Sequence, residues 1–216
     1  MTAPRIALIS ATPLAIGPAE GAVREALPEA AIWNLLDDRL LADARSGPIT
    51  DDLAGRMDSL IDIAIAGRAD GVILTCSQYG QRALVRDRKR DGVAVLSADG
   101  PLFDEVVARR PRRVVLVASL ESAIADSAPR LAALLAAAGL ETSVEPVLVP
   151  APTSDEAVRS LEDAVGAHVA SADVIALAQY SLAPFASRLE ERLGKPVLDG
   201  PHVAVDRLIR EMKAAA

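Results

Sequence analysis

A single cysteine lies where an apolar run of the sequence gives way to polar residues. Cys76 belongs to "ADGVILTCSQYG", residues 69–80, and Thr75, Ser77 and Gln78 flank it. A thiolate can accept a proton or attack carbon, and a helix that begins beside a thiol lowers its pKa and offers N–H groups to an anion. This pattern predicts a reactive thiol at the end of a strand, beside backbone N–H groups that can hold an anionic ligand.

A simpler interpretation of Cys76 is that it fills space in the core, because a cysteine outside a disulfide is among the most buried residue types. Two features of the sequence favour a chemical role instead. Cys76 ends its apolar run rather than interrupting it, and polar residues follow it. The chemical role is therefore the leading hypothesis, and packing is the alternative.

The segment around Cys76 has a second copy later in the chain. "ADVIALAQYSLA", residues 172–183, repeats it, and Gln179 lies six residues after Asp173 just as Cys76 lies six residues after Asp70. Two more pairs of segments repeat in the same order, at 5–13 and 112–122 and at the Asp-Gly-Pro triplets 99–101 and 199–201. Three repeats in a fixed order predict a duplicated fold.

The second copy has an amide where the first has a thiol. Gln179 can form hydrogen bonds but does not titrate near neutral pH, so it cannot exchange a proton. We expect it to orient a ligand through hydrogen bonds, or alternatively to cap a helix. Further candidates for substrate binding are polar residues near the ends of predicted strands, namely Tyr180, Ser181, Ser10, Thr12 and Ser119.

Eight short runs rich in Val, Ile and Leu alternate with helical patterns. They begin near residues 5, 30, 71, 92, 113, 142, 173 and 195. Apolar runs of this length, bounded by turn residues, predict strands that are buried on both faces of parallel α/β sheets. Among the helices between them, one is predicted to begin after Thr50 as N-cap and to end at Gly67, and Pro129 predicts another that begins near Ser127.

The repeat and the alternation of strands and helices together predict the architecture. We expect an α/β fold of two pseudo-symmetric, duplicated halves, each a four-stranded parallel sheet between helices in a three-layer sandwich. Residues 1–100 with a C-terminal helix over 201–216 form the first half, and residues 101–200 form the second. Because ligands of open parallel sheets bind at the carboxyl ends of the strands, we expect the site in the cleft between the halves.

Composition and charge argue against several classes of function. The net charge is −7 at pH 7, and two Phe, two Tyr and one Trp leave few rings for stacking on bases, so we expect no nucleic-acid partner. The start of the chain has no basic segment followed by a sustained apolar one, and the alanine-rich run at 131–140 is too short for a bilayer. We therefore expect no signal peptide and no membrane partner.

The cysteine and histidine content bounds the chemistry further. One cysteine and two widely separated histidines do not make a zinc-type cluster, so we expect no metal ligands. A single cysteine also fits a reducing compartment, and we expect a cytoplasmic location. The sequence leaves the oligomeric state open, including a homo-oligomer.

The strand-end motif and the opening of the chain resemble a known family. "DGVILTCS", together with "ALISATPLAIGPAEGAVREALPEA" and "WNLLDD", is similar to the aspartate/glutamate racemase superfamily, which includes hydantoin racemases, maleate isomerases and arylmalonate decarboxylases. The resemblance extends over essentially the whole chain. It implies a small carboxylate as substrate and a mechanism without a cofactor, in which one cysteine from each half exchanges a proton with the α-carbon from opposite sides.

This chain keeps one of those two cysteines. Cys76 matches the first position, and Gln179 stands at the second. The resemblance implies that Thr75, Ser77 and Gln78 hold the carboxylate of the substrate, and that Gln179 orients a carboxylate or an enediolate oxygen. The resemblance therefore implies an enzyme that acts at the α-carbon of a small carboxylate through an enolate or enediolate, with Cys76 as proton donor or acceptor. One thiol suits one-sided protonation, as in decarboxylation or a one-base isomerization, better than racemization. Racemase stays the family-level label, because His202 can be a second acid or base near neutral pH.

Two other functions stay open on the sequence alone. Cys76 can be a covalent nucleophile, as in a lyase, a hydrolase or a cis-trans isomerase, and would then form an adduct with substrate. The protein can instead be a carboxylate-binding module without chemistry, which would bind its ligand tightly and never turn it over.

Overall fold

The eight apolar runs form strands, as the sequence predicts. The structure, a computed structural model, describes residues 3–44, 49–86, 92–151 and 155–215. The strands in these ranges are β1 (Arg5–Ser10), β2 (Ala31–Leu36), β3 (Gly71–Leu74), β4 (Ala94–Leu96), β5 (Arg113–Ala118), β6 (Ser143–Leu148), β7 (Val174–Leu177) and β8 (Val197–Asp199).

Helices separate the strands. They are α1 (Ile16–Ala26), α2 (Leu40–Ala44), α3 (Asp51–Ala66), α4 (Gly80–Leu84), α5 (Gly100–Arg109), α6 (Glu121–Ala137), α7 (Asp155–Gly166), α8 (Ala186–Leu193) and α9 (Gly200–Ala215). Short 3₁₀ helices lie at Pro13–Ala15, Ser77–Tyr79, Val169–Ser171 and Tyr180–Phe185. Over the described ranges, none of the helices combines the length and the apolar character that crossing a membrane requires.

The strands form two sheets with the same topology. The strand order is β2-β1-β3-β4 in the first sheet and β6-β5-β7-β8 in the second. Every neighbouring pair is parallel. The predicted α/β fold of two duplicated four-stranded parallel halves is confirmed.

The register of the central strands shows which residues correspond in the two sheets. Leu74 of β3 pairs with Ile9, and Leu177 of β7 pairs with Val117. One residue further on, the N–H of Thr75 donates to the carbonyl of Ile9 at 2.9 Å, and the N–H of Ala178 donates to that of Val117 at 2.8 Å. Leu74 and Leu177 are therefore equivalent, and counting two residues on makes Cys76 and Gln179 equivalent as well.

A repeated aspartate joins the amino ends of the same strands. Asp70 Oδ2 accepts a hydrogen bond from the N–H of Arg5 at 2.7 Å. Asp173 Oδ2 accepts hydrogen bonds from the N–H groups of Arg113 at 2.9 Å and Arg112 at 2.6 Å. These backbone donors hold the pKa of Asp173 below its usual range, because they stabilise the ionised carboxylate.

The chain divides into two compact units. The first unit comprises Met1–Pro101 with Pro201–Ala216, and the second comprises Leu102–Gly200. Helix α5 follows β4 but belongs almost entirely to the second unit, and α9 follows β8 but belongs to the first. The last helix thus adds to the unit that contains the first four strands.

Helix α3 covers one face of the first sheet. Thr50 is its N-cap, with Oγ1 accepting a hydrogen bond from the N–H of Leu53 at 3.3 Å, and Gly67 follows its last residue. Met57 and Ile61 are fully buried on its inner side and join the core cluster that contains Ile9, Leu74 and Cys76. Both ends of the predicted helix are confirmed.

The predicted start of a helix near Ser127 is wrong. Helix α6 begins at Glu121 and continues to Ala137 with Pro129 inside it. Its inner side buries Ala123, Ser127, Leu131 and Leu135. This burial spans both sides of the proline, and it outweighs the one backbone hydrogen bond that the proline cannot form.

Gly71 leaves space for helix α9, so its substitution tests how that helix packs. A Cβ at this position would lie 2.7–2.9 Å from the side-chain carbons of Leu208, which is fully buried. We predict that Gly71→Ala lowers the free energy of unfolding by about 1–3 kcal/mol through overpacking. Urea unfolding measures the change.

Gly55, inside α3, provides the matched control. Nothing lies within 4 Å of a Cβ built on it. Gly55→Ala should therefore raise the free energy of unfolding by about 0.5–1 kcal/mol, the usual gain from removing a glycine inside a helix. Equal effects of the two substitutions would contradict the packing of α9 on β3.

Candidate active site

Cys76 leaves the first sheet at its carboxyl edge. Its backbone is extended, with φ −119° and ψ 120°, and it is the N-cap residue of the 3₁₀ helix Ser77–Tyr79. Its side chain is 9% exposed and belongs to the core cluster on the α3 face of the sheet. The Cys76 side chain thus packs in the core and lies at the edge of the sheet where parallel sheets bind ligands.

The hydroxyl groups predicted beside Cys76 bond to each other. Ser10 ends β1, Thr75 follows β3, and their side-chain oxygens lie 2.9 Å apart. Both residues are buried. Thr12 lies in the next turn, where its Oγ1 accepts a hydrogen bond from the N–H of Leu14 at 3.4 Å and so caps a 3₁₀ helix. The bond between Ser10 and Thr75 joins the ends of two neighbouring strands. That these residues bind substrate stays a prediction.

Ser77 and Gln78 follow the thiol in the 3₁₀ turn. Both side chains are half-buried. Gln78 Oε1 is shielded from solvent and accepts no hydrogen bond from any side chain or backbone group in the described part of the chain. A ligand or a water molecule beside Cys76 can satisfy this oxygen, and the amide NH₂ on the same group can donate to a carboxylate.

Tyr79 anchors the turn that carries the thiol. Its N–H donates to the carbonyl of Cys76 at 3.2 Å, and its hydroxyl donates to the carbonyl of Leu40 at 2.9 Å. Only 1% of the side chain is exposed. Burial, together with the negative charge of a nearby Cys76 thiolate, raises the pKa of Tyr79 to about 12, so the hydroxyl keeps its proton at neutral pH.

An ion-pair cluster fixes the segment that Tyr79 contacts. Arg56 on α3 bonds Asp37 at 2.6 Å and Asp43 at 2.8 Å. The N–H of Asp37 in turn donates to the carbonyl of Ser10 at 3.1 Å, so the cluster begins at the carboxyl edge of the sheet. The bond from Arg56 holds the pKa of Asp43 below its usual range, and the two carboxylates raise the pKa of Arg56.

Gln179 occupies the position equivalent to Cys76, and three donors hold its oxygen. Its Oε1 accepts hydrogen bonds from the N–H of Ser119 at 2.5 Å, from the N–H of Leu120 at 3.1 Å and from the Ser119 hydroxyl at 3.2 Å. Because backbone N–H groups only donate, they fix the oxygen end of the amide against them. The NH₂ end of Gln179 is therefore the end that can meet a ligand, and it can only donate.

Two other predicted residues of the second unit, Tyr180 and Ser181, lie in the turn after β7. Tyr180 is buried and Ser181 is half-buried, and both belong to the 3₁₀ helix that Gln179 precedes. Ser119 follows β5 beside Gln179. The structure brings Ser119 and Gln179 together, and their role in substrate binding stays a prediction.

The two histidines lie in acidic surroundings. His202, in the first turn of α9, is exposed, and its Nε2 lies 3.4 Å from Glu25 Oε2. His168 Nδ1 lies 2.5 Å from Glu145 Oε1 in the second unit. Arg113 also bonds Glu145, and the two partners lower the pKa of that carboxyl, with Arg113 contributing more.

The sequence does not reveal Tyr79, Arg56, Asp37 and Asp43 as parts of the site. Tyr79 is three residues from Cys76, which hints at a shared turn, but its partner Leu40 is 39 residues away in sequence. The aspartates that follow "WNLL" have no spacing relation to Arg56 that would indicate an ion pair.

Chemically, the edge of the first sheet offers one group that can move a proton and several that can donate hydrogen bonds. The thiol of Cys76 is the group that can move a proton, and the hydroxyl of Ser77 and the amide of Gln78 can donate hydrogen bonds. Over the described residues, no three His, Cys, Asp or Glu side chains come together as metal ligands would.

Comparisons with known proteins place the fold. No family model and no curated protein matches the sequence. Among solved structures, allantoin racemase from Klebsiella pneumoniae is similar over 98% of this chain and 89% of its own, with a TM-score of 0.71 and 17% identity. Glutamate racemase from Francisella tularensis, in complex with D-glutamate, is similar over 99% of this chain and 82% of its own, with a TM-score of 0.71 and 10% identity.

A decarboxylase has the same fold. Unliganded arylmalonate decarboxylase is similar over 99% of this chain and 94% of its own, with a TM-score of 0.62 and 18% identity. This chain therefore has the fold that these two racemases and the decarboxylase share.

The hydrogen bonds to Gln179 allow a test of its orientation. We predict that Gln179→Met lowers the free energy of unfolding by about 1–3 kcal/mol, because the N–H groups of Ser119 and Leu120 lose their acceptor. Gln179→Glu keeps an oxygen at the same place and should be about as stable as the wild type at pH 7. Urea unfolding of both variants compares them, and a Met variant as stable as the Glu variant would show that the three donors do not hold the side chain.

Proposed function

We propose that this protein is an enzyme that moves a proton at the α-carbon of a small carboxylate, with Cys76 as the acid or base and without a cofactor. The observation that carries the proposal is the equivalence of Cys76 and Gln179 in the two duplicated sheets. The resemblance implies a thiol at each of these positions in the racemases. Here one position has a thiol and the other an amide.

A single thiol limits the reaction to one face of the substrate. A Cys76 thiolate can take the α-proton, leaving the electron pair in an enediolate, and can return a proton only from its own side. Gln179 can hold an oxygen of a ligand through its NH₂ group but cannot supply a proton. We therefore expect exchange of the α-proton without inversion.

Decarboxylation is the second reaction that one thiol can complete. When a substituted malonate loses carbon dioxide, the electrons of the broken C–C bond form an enediolate. The Cys76 thiol then gives its proton to the α-carbon, and the thiolate regains one from water. The similarity of the fold to arylmalonate decarboxylase, together with the single thiol of this chain, favours this alternative over a two-base racemization.

Incubation with amino acids, hydantoins and substituted malonates in deuterium oxide tests the proposal. We predict that deuterium appears at the α-carbon while the configuration is kept, or that a malonate loses carbon dioxide and gains one deuterium. Proton NMR and chiral chromatography follow the label and the configuration. Rapid inversion of an amino acid by the wild type would show that a second acid or base acts, with His202 the first candidate.

Removal of the thiol tests the role of Cys76. On a substrate identified in this way, Cys76→Ser should slow turnover by about 10²–10⁴-fold, the usual contribution of a general acid or base. Ser59→Ala is the control, because Ser59 is exposed on α3 and bonds only the carbonyl of Gly55 among its described contacts. Full turnover by the Cys76 variant would refute the mechanism, and a substrate adduct in the intact mass would favour a covalent nucleophile instead.

A second thiol tests whether the two strand ends share one substrate, which stays a prediction from the sequence. Gln179→Cys should add inversion to the exchange that the wild type catalyses, since a proton can then return from a second side. Chiral chromatography measures the inversion. Exchange that continues in this variant with the configuration fully kept would indicate that position 179 does not face the substrate of Cys76.

A further inference from the structure

The turn after the third strand of each unit has the same backbone hydrogen bond but a different side chain. In the first unit the N–H of Tyr79 donates to the carbonyl of Cys76 at 3.2 Å, and in the second the N–H of Leu182 donates to that of Gln179 at 3.0 Å. Both side chains are almost fully buried in apolar clusters. Because a leucine is enough to fill the core at this position in the second unit, the hydroxyl of Tyr79 is not required for packing in the first.

The hydroxyl of Tyr79 reaches a segment that is longer in the first unit. Fourteen residues separate Leu36 at the end of β2 from Asp51 at the start of α3, whereas six separate Leu148 from Asp155 in the second unit. Helix α2 lies in the longer segment and begins at Leu40, whose carbonyl accepts the Tyr79 hydrogen bond at 2.9 Å. The bond therefore ties the turn of Cys76 to an element without an equivalent helix among the described residues of the second unit.

Helix α2 is itself held in place, so the bond has a firm anchor. Leu40 is fully buried, and Asp43 on the same helix bonds Arg56 at 2.8 Å. Arg56 also bonds Asp37, just after β2. A chain of contacts thus runs from α3 through α2 and Tyr79 to the turn that begins at Cys76.

We propose that Tyr79 is a positioning residue for Cys76, and that its hydrogen bond to Leu40 fixes the turn on which the thiol is held. This inference rests on the proposed function, in which the thiol reacts with substrate. The two units differ at two equivalent positions, Cys76 against Gln179 and Tyr79 against Leu182. The unit with the thiol has the tyrosine, and the unit with the amide has the leucine and uses Ser119 and Leu120 to hold its side chain instead.

Alkylation of Cys76 by iodoacetamide tests the anchor without any substrate. Because only 9% of Cys76 is exposed, the reagent reaches the thiol through local opening of the turn. We expect Tyr79→Phe to raise the alkylation rate about tenfold in the absence of denaturant, the effect of one lost buried hydrogen bond on such an opening. Since the pKa of Tyr79 is about 12, the substitution changes no charge at pH 7–9.

Thr142→Val is the matched control for the loss of a hydroxyl. Thr142 Oγ1 donates to the carbonyl of Pro111 at 2.6 Å in the second unit, far in sequence from Cys76. Its variant should be alkylated at the rate of the wild type within about twofold, even if its free energy of unfolding falls as much. An equal rise in both variants, or no rise in Tyr79→Phe, would overturn the proposal.

Measuring kcat and KM distinguishes a positioning role of Tyr79 from a general contribution to the stability of the fold. On a substrate confirmed by deuterium exchange, Tyr79→Phe should lower kcat by about tenfold or more and leave KM within about twofold, because a displaced acid or base slows the proton transfer and not the binding. A variant with unchanged kcat would overturn the positioning role. If the alkylation rate rises while Cys76→Ser keeps full turnover, the anchor stands and the proposed function fails.

A second variant keeps the test valid if Tyr79→Phe does not fold. Asp43→Asn weakens the ion pair that holds α2 and keeps Tyr79 itself. It should also raise the alkylation rate of Cys76, but by less than Tyr79→Phe does. An alkylation rate identical to that of the wild type in a folded Asp43→Asn variant would count against the chain of contacts.

Discussion

The backbone hydrogen bond that closes each central strand pair determines where the chemistry of this protein can lie. The N–H of Thr75 reaches the carbonyl of Ile9, and the N–H of Ala178 reaches that of Val117. In the described part of the chain β3 and β7 end just before these bonds, and 3₁₀ helices follow at Ser77 and at Tyr180. Because side chains alternate along a strand, a slip of one residue would turn Cys76 away from the core face it shares with Leu74.

The duplicated strands and turns place different side chains at equivalent positions of the two units. The same turn holds a thiol in one unit and an amide in the other, and each has its own means of support. Tyr79 and α2 anchor the turn of Cys76, whereas backbone N–H groups anchor Gln179 directly. In the proposed mechanism the thiol transfers a proton, and a fixed turn keeps it in place for that step. An amide that only donates gains from having its oxygen end fixed.

Sequence patterns predict the parts of this structure that depend on local chemistry. The eight strands, the caps of α3 and the equivalence of Cys76 with Gln179 follow from apolar runs, turn residues and repeat spacing. The course of α6 through Pro129 does not, because burial on both sides of the proline outweighs its local preference. The close approach of Leu208 to Gly71 does not follow from the sequence pattern either, because the two residues meet only in the folded unit.

The candidate site likewise contains residues that the sequence predicts and residues that it does not. The polar residues beside Cys76 and Gln179 are recognisable because they follow strands. Their partners are not, because Arg56, Asp37 and the carbonyl of Leu40 meet the site through tertiary contacts between residues far apart in sequence. What the pattern does convey is the asymmetry, one thiol and one amide, on which the proposed chemistry depends.

A crystal structure with a bound carboxylate tests the central claim most directly. A monocarboxylate with a quaternary α-carbon has no α-proton to lose and no second carboxylate to release as carbon dioxide, so it would stay intact in the crystal. The account predicts that the substituent in the place of the α-proton contacts Cys76 Sγ, at about 3.5–4 Å, with the carboxylate on the donors of Ser77 or Gln78. A ligand bound at another place, with Cys76 Sγ out of contact and still packed in the core, would contradict it.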